Sequence, residues 1–165
     1  MRFETRQLCQ TARGTFTAAL IALSLSACQP GTREESGAQV EYLQMPIYAG
    51  QDMPFSTAVR VDNTLYLSGV IGTDPDADTL SPMPGGIGAE TKRAMEIIKE
   101  ELETFGSSMD QVVKCTIFLA DIDEWATMND VYITFFDTPP ARSALGANGL
   151  AIGARVEIEC IAVVN

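Results

Sequence analysis

The 165-residue chain contains no histidine. That absence excludes a Ser-His-Asp triad, a Cys-His dyad and a His-ligated zinc site. It also removes the side chain that most enzymes use to move protons near neutral pH. Proton transfer, if the chain performs any, falls to carboxylates, backbone groups, substrate or water. Positive charge is scarce as well. Eleven Lys and Arg face 22 Asp and Glu, a net charge of −11. Gripping a phosphate backbone needs a basic face, so no nucleic-acid partner is expected. An acidic chain also gains nothing electrostatically by approaching anionic lipid. Charged residues make up only 20% and apolar ones 46%, a balance that allows a sizeable core and argues against disorder. No short fixed-period repeat is present.

The N-terminus reads as an export signal. Arg2, Arg6 and Arg13 precede an apolar stretch over 15–27, which is shorter than the ~18 residues a membrane span needs. It ends in Leu25-Ser26-Ala27-Cys28, the pattern of a bacterial lipobox. Residues 1–27 are therefore expected to be a lipoprotein signal peptide and Cys28 the lipidated residue. Several acyl chains on one cysteine anchor stably where a single chain does not. Residues 28–40 read as a polar, Gly- and Pro-containing tether. Cleavage leaves 8 basic and 21 acidic residues, so attachment to the membrane rests on the lipid anchor alone. Gln29 rather than Asp follows the cysteine, which points to the outer membrane with the domain facing the periplasm.

Residues 41–165 read as one domain. A first strand or edge segment is expected over 42–47. Strands over 56–61 and 64–71 flank the turn-forming pair Asp62-Asn63 and predict a hairpin. The Asp- and Pro-rich stretch 73–83 reads as loop. Asp74, Asp76 and Asp78 start with the spacing of a calcium loop, but Thr79 and Gly85 stand where Gly and Glu are required, so a turn is expected. Ile87, Met95, Ile98, Leu102 and Phe105 share one face of a helix over 86–105, stopped by Gly106. A strand over 111–120 follows. A second helix over 123–136 carries Trp125, Met128 and Tyr132 on its apolar face and ends before Pro139-Pro140. Strands over 141–147 and 154–164 complete the order β-β-β-α-β-α-β-β, which implies a single sheet with two helices on one face. Cys115 and Cys160 fall in apolar runs and read as small buried hydrophobes. A disulfide between them is open in an oxidising compartment.

Several segments resemble the reactive intermediate deaminase (Rid, YjgF-like) family. Pro140-Ala141-Arg142-Ser143 and Val156-Glu157-Ile158-Glu159 form the most specific pair. Pro54-Phe55-Ser56-Thr57, Leu67-Ser68-Gly69, Asp74-Pro75 and Ala126-Thr127-Met128-Asn129 also match. The resemblance covers about residues 45–164. It implies an α+β, chorismate-mutase-like fold, a homotrimer with clefts between subunits, and hydrolysis of 2-imino acids and their enamines to 2-oxo acids and ammonia. It implies neither cofactor nor metal.

On that resemblance Arg142 grips the substrate carboxylate through paired hydrogen bonds. Glu157 is linked to the attacking water. Phe55, Ser68, Gly69, Asn129, Ser143 and Ala144 line the site. Phe55 departs from the family, which usually has Tyr there, so a cleft hydroxyl is missing. Thr57 stands where Gln is common. Read from the residues alone, the favoured role of Arg142 is a structural ion pair with Glu157 or Glu159 across the sheet, and the alternative for Glu157 is an ordinary solvent-facing strand charge or a fixed partner for Arg142. The alternative function is a non-catalytic lipoprotein of the same fold that binds small carboxylates or a partner.

Overall fold

The computed structural model describes residues 37–165; the leader, Cys28 and most of the tether lie outside them. The elements are strands β1 (Val40–Leu43), β2 (Ala58–Val61), β3 (Thr64–Leu67) and β4 (Val70–Ile71), helix α1 (Ile87–Thr104), strand β5 (Val112–Leu119), helix α2 (Trp125–Tyr132), and strands β6 (Ala141–Gly146) and β7 (Val156–Val163). They form one sheet in the order β1-β2-β3-β7-β5-β6, with β4 also paired to β7. Only β5 and β6 run parallel, and α2 is the crossover that this pairing requires.

The expected hairpin is present, and its turn serves two purposes. Asp62 takes a positive φ of 52°, which Asp tolerates better than most residues. Its side chain also accepts a hydrogen bond from the Gln39 N–H at 2.9 Å, while its own N–H donates to the Gln39 carbonyl. The turn thereby pins the start of β1. As a result the first strand lies at Val40–Leu43 rather than 42–47, and Pro46–Tyr48 forms a 3-10 turn. β1 is an edge strand, and its limits follow from pairing with β2.

The second departure matters more for the site. The run 64–71 is not one strand. Tyr66 opposes Ile161 and Val70 opposes Ile158, so four steps along one strand match three along the other. The extra residue forms a bulge at Ser68-Gly69. Ser68 is tied to the preceding strand at this point: its N–H donates to the Thr57 carbonyl and its hydroxyl to the Ser56 carbonyl at 2.7 Å.

α1 buries Ile87, Glu90, Thr91, Ala94, Met95, Ile98, Glu101 and Leu102, an i, i+3, i+4 stripe. Gly106 at φ 83° ends it, with Ser107 N–H on the Leu102 carbonyl and Gly106 N–H on the Glu103 carbonyl, the six-to-one and five-to-two bonds of a Schellman cap. α2 covers only the middle of the expected 123–136, flanked by 3-10 turns on both sides. The core lies between both helices and one face of the sheet, to which Leu65, Cys115, Ile117, Val156, Ile158 and Cys160 contribute.

Cys115 and Cys160 are not independent thiols. They oppose each other directly across β5 and β7 and form a disulfide. Each was visible as a buried strand residue. Their pairing depends on the β5–β7 register, which closes a loop with a sequence separation of 45.

Candidate functional site

Side chains on neighbouring strands point the same way at paired positions, so register sorts the expected site residues by face. Arg142 and Ala144 pair with Cys115 and Ile117 and share the helix-covered face. Glu157 pairs with Phe118 and Ile71 and lies on the other, helix-free face. The two residues expected to do the chemistry therefore sit on opposite faces of one sheet. Pairing of Arg142 with Glu157 or Glu159, open on the sequence, is not what forms.

Arg142 sits beneath α2. Its Nη1 donates to Asn129 Oδ1 at 2.7 Å. Its guanidinium carbon lies 5.0 Å from the Tyr132 ring centroid and 5.6 Å from that of Trp125, within cation–π range of both. Residues 125, 129 and 132 follow i, i+4, i+7 spacing, which aligns them over β6. Asn129, Tyr132 and Arg142, with Ile133, Pro139 and Pro140, line a pocket of about 310 Å³. Only one guanidinium N–H group finds an acceptor among the described residues. The remaining donors form the planar fork that suits a carboxylate. Tyr132 is 2% exposed and its hydroxyl has no partner among the described residues. Burial pushes that hydroxyl up to about 12, against the opposing pull of Arg142.

The second group gathers at the bulge. Phe55, Ser68, Gly69 and Glu157 line a cleft of about 650 Å³. Gly69 is essential to this arrangement, because a Cβ there would stand 2.0 Å from Glu157 Oε1. The bare glycine is what lets the carboxylate lie over the bulge. Among the described residues no Lys or Arg pairs with Glu157. Phe55 is half exposed at the mouth.

Two expected residues join neither group directly. Ser143 faces away from Arg142, and its hydroxyl accepts from Lys114 Nζ at 2.7 Å on the helix-free face. Ala144 packs partly buried against the core. Three contributors were not singled out in the sequence. Trp125 and Tyr132 were read only as an apolar stripe, although their spacing around Asn129 already placed all three on one face. Glu101 was not recognised as a cleft residue. Asp74 accepts the Asp76 N–H at 3.0 Å, the side-chain-closed turn expected there.

The stretch of chain that carries both groups matches known proteins. The family described as Endoribonuclease L-PSP matches residues 49–164. The chain is 47% identical over 111 residues to the 2-iminobutanoate/2-iminopropanoate deaminase of Bos taurus, covering 67% of this chain and 80% of that one. It is 44% identical over 111 residues to the Mus musculus protein of the same name, covering 67% and 81%. Among solved structures, YEO7_yeast superposes with a TM-score of 0.69 at 34% identity, over 77% of this chain and all of that one.

Proposed function

The chain belongs to the endoribonuclease L-PSP family, the YjgF-like or Rid fold, and from that membership we propose that it hydrolyses 2-imino acids to 2-oxo acids and ammonia at a site shared between two copies of the chain. The supporting observation is the division of the site. Arg142 with Asn129 lies on one face of the sheet, and Glu157 with Phe55, Ser68 and Gly69 lies on the other. One copy cannot present both halves to one small molecule. A ring of copies brings the Glu157 cleft of each against the Arg142 pocket of its neighbour, and a homotrimer is the smallest closed ring that repeats such a head-to-tail contact beyond a dimer. The helix-free face offers the surface for it: Val59, Tyr66, Phe118, Leu145 and Ile161 stand there among the charges.

In this arrangement Arg142 holds the substrate carboxylate with the donors that Asn129 leaves free. Asn129 and the two aromatic rings keep the guanidinium in one orientation, so less ordering is required on binding. Water held by Glu157 adds to the imine carbon. Its oxygen becomes the carbinol oxygen and its proton passes to nitrogen. Collapse of the carbinolamine transfers the hydroxyl proton to nitrogen and releases ammonia. Glu157 relays these protons, a task the chain cannot give to histidine. The ribonuclease chemistry in the family's description finds little support at a net charge of −11.

Location belongs to the same proposal. The lipobox at Cys28 favours export with a lipid anchor, and the disulfide, which persists in oxidising compartments, favours export.

The test adds the full chain to an imine-generating amino acid oxidase and follows 2-oxo acid release. Acceleration by the wild type and a loss of ~10²-fold or more in Arg142→Ala are expected. Equal performance by that variant defeats the assignment. Binding of 2-oxo acids without turnover favours the non-catalytic alternative. Mixing Arg142→Ala with Glu157→Gln chains before assembly tests the shared site. About a quarter of the sites then regain both halves, whereas a site within one copy regains none.

A further inference from the structure

The cleft at the bulge holds a second carboxyl that the proposed hydrolysis does not use. Glu101 lies on the buried face of α1, between Ile98 and Leu102, and is only 4% exposed. It nevertheless lines the same cleft as Glu157, because at β4 the cleft wall takes residues from both faces of the sheet, Val70 from the helix-covered one and Ile71 from the other. Its Oε2 has neither water access nor a hydrogen-bond partner among the described residues, and no Lys or Arg among them pairs with it. The position belongs to a stripe otherwise filled largely by Ala94, Met95, Ile98 and Leu102, where an apolar side chain would pack without penalty. A buried acceptor left unmatched by its own fold is unfavourable. It becomes favourable once a ligand brings the missing donor.

The rest of the cleft indicates the ligand. Its walls are largely apolar, from Met53, Val70, Ile71, Ile97 and Ile152, and among the described residues no Lys or Arg lines it. An anion has no partner there. An apolar stem is sheltered, and a cation at its end meets Glu101. Burial, and secondarily the adjacent Glu100, push the Glu101 carboxyl up to about 8. It therefore holds its proton near neutral pH until an opposite charge arrives to favour ionisation.

We propose that this cleft selects 2-imino acids whose side chain is an apolar stem ending in an ammonium or guanidinium group, with Glu101 pairing with that terminus. The inference rests on the proposed deaminase site only in identifying the bound chain as a substrate side chain. Glu101 is a specificity residue in this scheme. Arg142 and Glu157 handle the reacting end.

The test measures binding of hexylammonium and of hexanol, its uncharged counterpart, to the full chain by titration calorimetry. The wild type is expected to prefer hexylammonium at least tenfold, and Glu101→Leu and Glu101→Gln to abolish that preference. Equal affinity of the wild type for both probes, or a preference that survives in both variants, overturns the inference. Both variants are first checked for cooperative unfolding. Glu101→Gln retains the shape of the side chain, so a packing failure in Glu101→Leu cannot be mistaken for lost recognition. A parallel assay compares imines generated from L-arginine and L-leucine. The ratio of their kcat/KM values is expected to fall at least tenfold in Glu101→Leu, and an unchanged ratio counts against the inference. Absence of turnover on both imines refutes the deaminase reading instead, while the calorimetric preference still decides the role of Glu101.

Discussion

Breaking the Cys115–Cys160 disulfide is expected to weaken the domain by several kcal/mol. The bond joins β5 and β7, two central strands, and closes a loop with a sequence separation of 45. That loop contains α2 and β6, and so the whole Arg142 pocket. In the chain-entropy treatment, freeing a loop of that length returns ~13 cal/mol/K to the unfolded state, or about 4 kcal/mol at 25 °C. With a urea dependence of ~2 kcal/mol per M, the unfolding midpoint falls by about 2 M. Both cysteines are at most 1% exposed, so reductant reaches them only through unfolding. The assay therefore unfolds and refolds the chain in urea with and without dithiothreitol. Protein concentration is held constant, because association also shifts stability. A midpoint shift below ~0.5 M would refute the reasoning. So would reactivity of both thiols in the denatured, unreduced chain, which would show that no bond was present.

Other outcomes follow from individual contacts. Glu101 keeps its proton when folded up to about 8 but releases it near 4.5 when unfolded. The native state thus binds the extra proton between those values, and stability falls as pH rises through that window. The loss reaches about 3 kcal/mol by pH 7. Glu101→Leu should flatten this slope, with its advantage growing from pH 5 to pH 8 in urea titrations; parallel slopes would contradict the assignment. Gly69→Ala displaces the flexible end of Glu157, so kcat/KM should fall by ~10²-fold with little change in unfolding midpoint. Gly72→Ala is expected to do the reverse. Its Cβ would stand 2.1 Å from the Glu90 carbonyl oxygen, a backbone atom that cannot swing away, at a cost of about 3 kcal/mol. Tyr132→Phe removes a buried hydroxyl that has no partner among the described residues and should leave stability equal or higher by about 1 kcal/mol. The ring over Arg142 remains, so substrate affinity should hold.

What the sequence determined by itself was whatever a few adjacent residues decide. Asp62-Asn63 placed the hairpin because turn chemistry is local. The spacing from Ile87 to Leu102, with Gly106 after it, placed α1 because helix period and cap lie in one stretch of chain. The Pro-Ala-Arg-Ser and Val-Glu-Ile-Glu segments pointed to the family for the same reason. Tertiary structure decided the features that depend on how one strand sits against another. Alternation within β6 and β7 shows which residues share a face of each strand, but not which face of β6 matches which face of β7. That follows from the registers through β5, and it separates Arg142 from Glu157. The same registers bring Cys115 opposite Cys160. The bulge at Ser68-Gly69 was hidden because the residues there still read as one strand, and only pairing with β7 exposes the extra residue. Glu101 sat between two stripe residues, yet its burial in a cleft depended on where α1 met the sheet. Register and packing are relations between distant segments, and no single segment contains them.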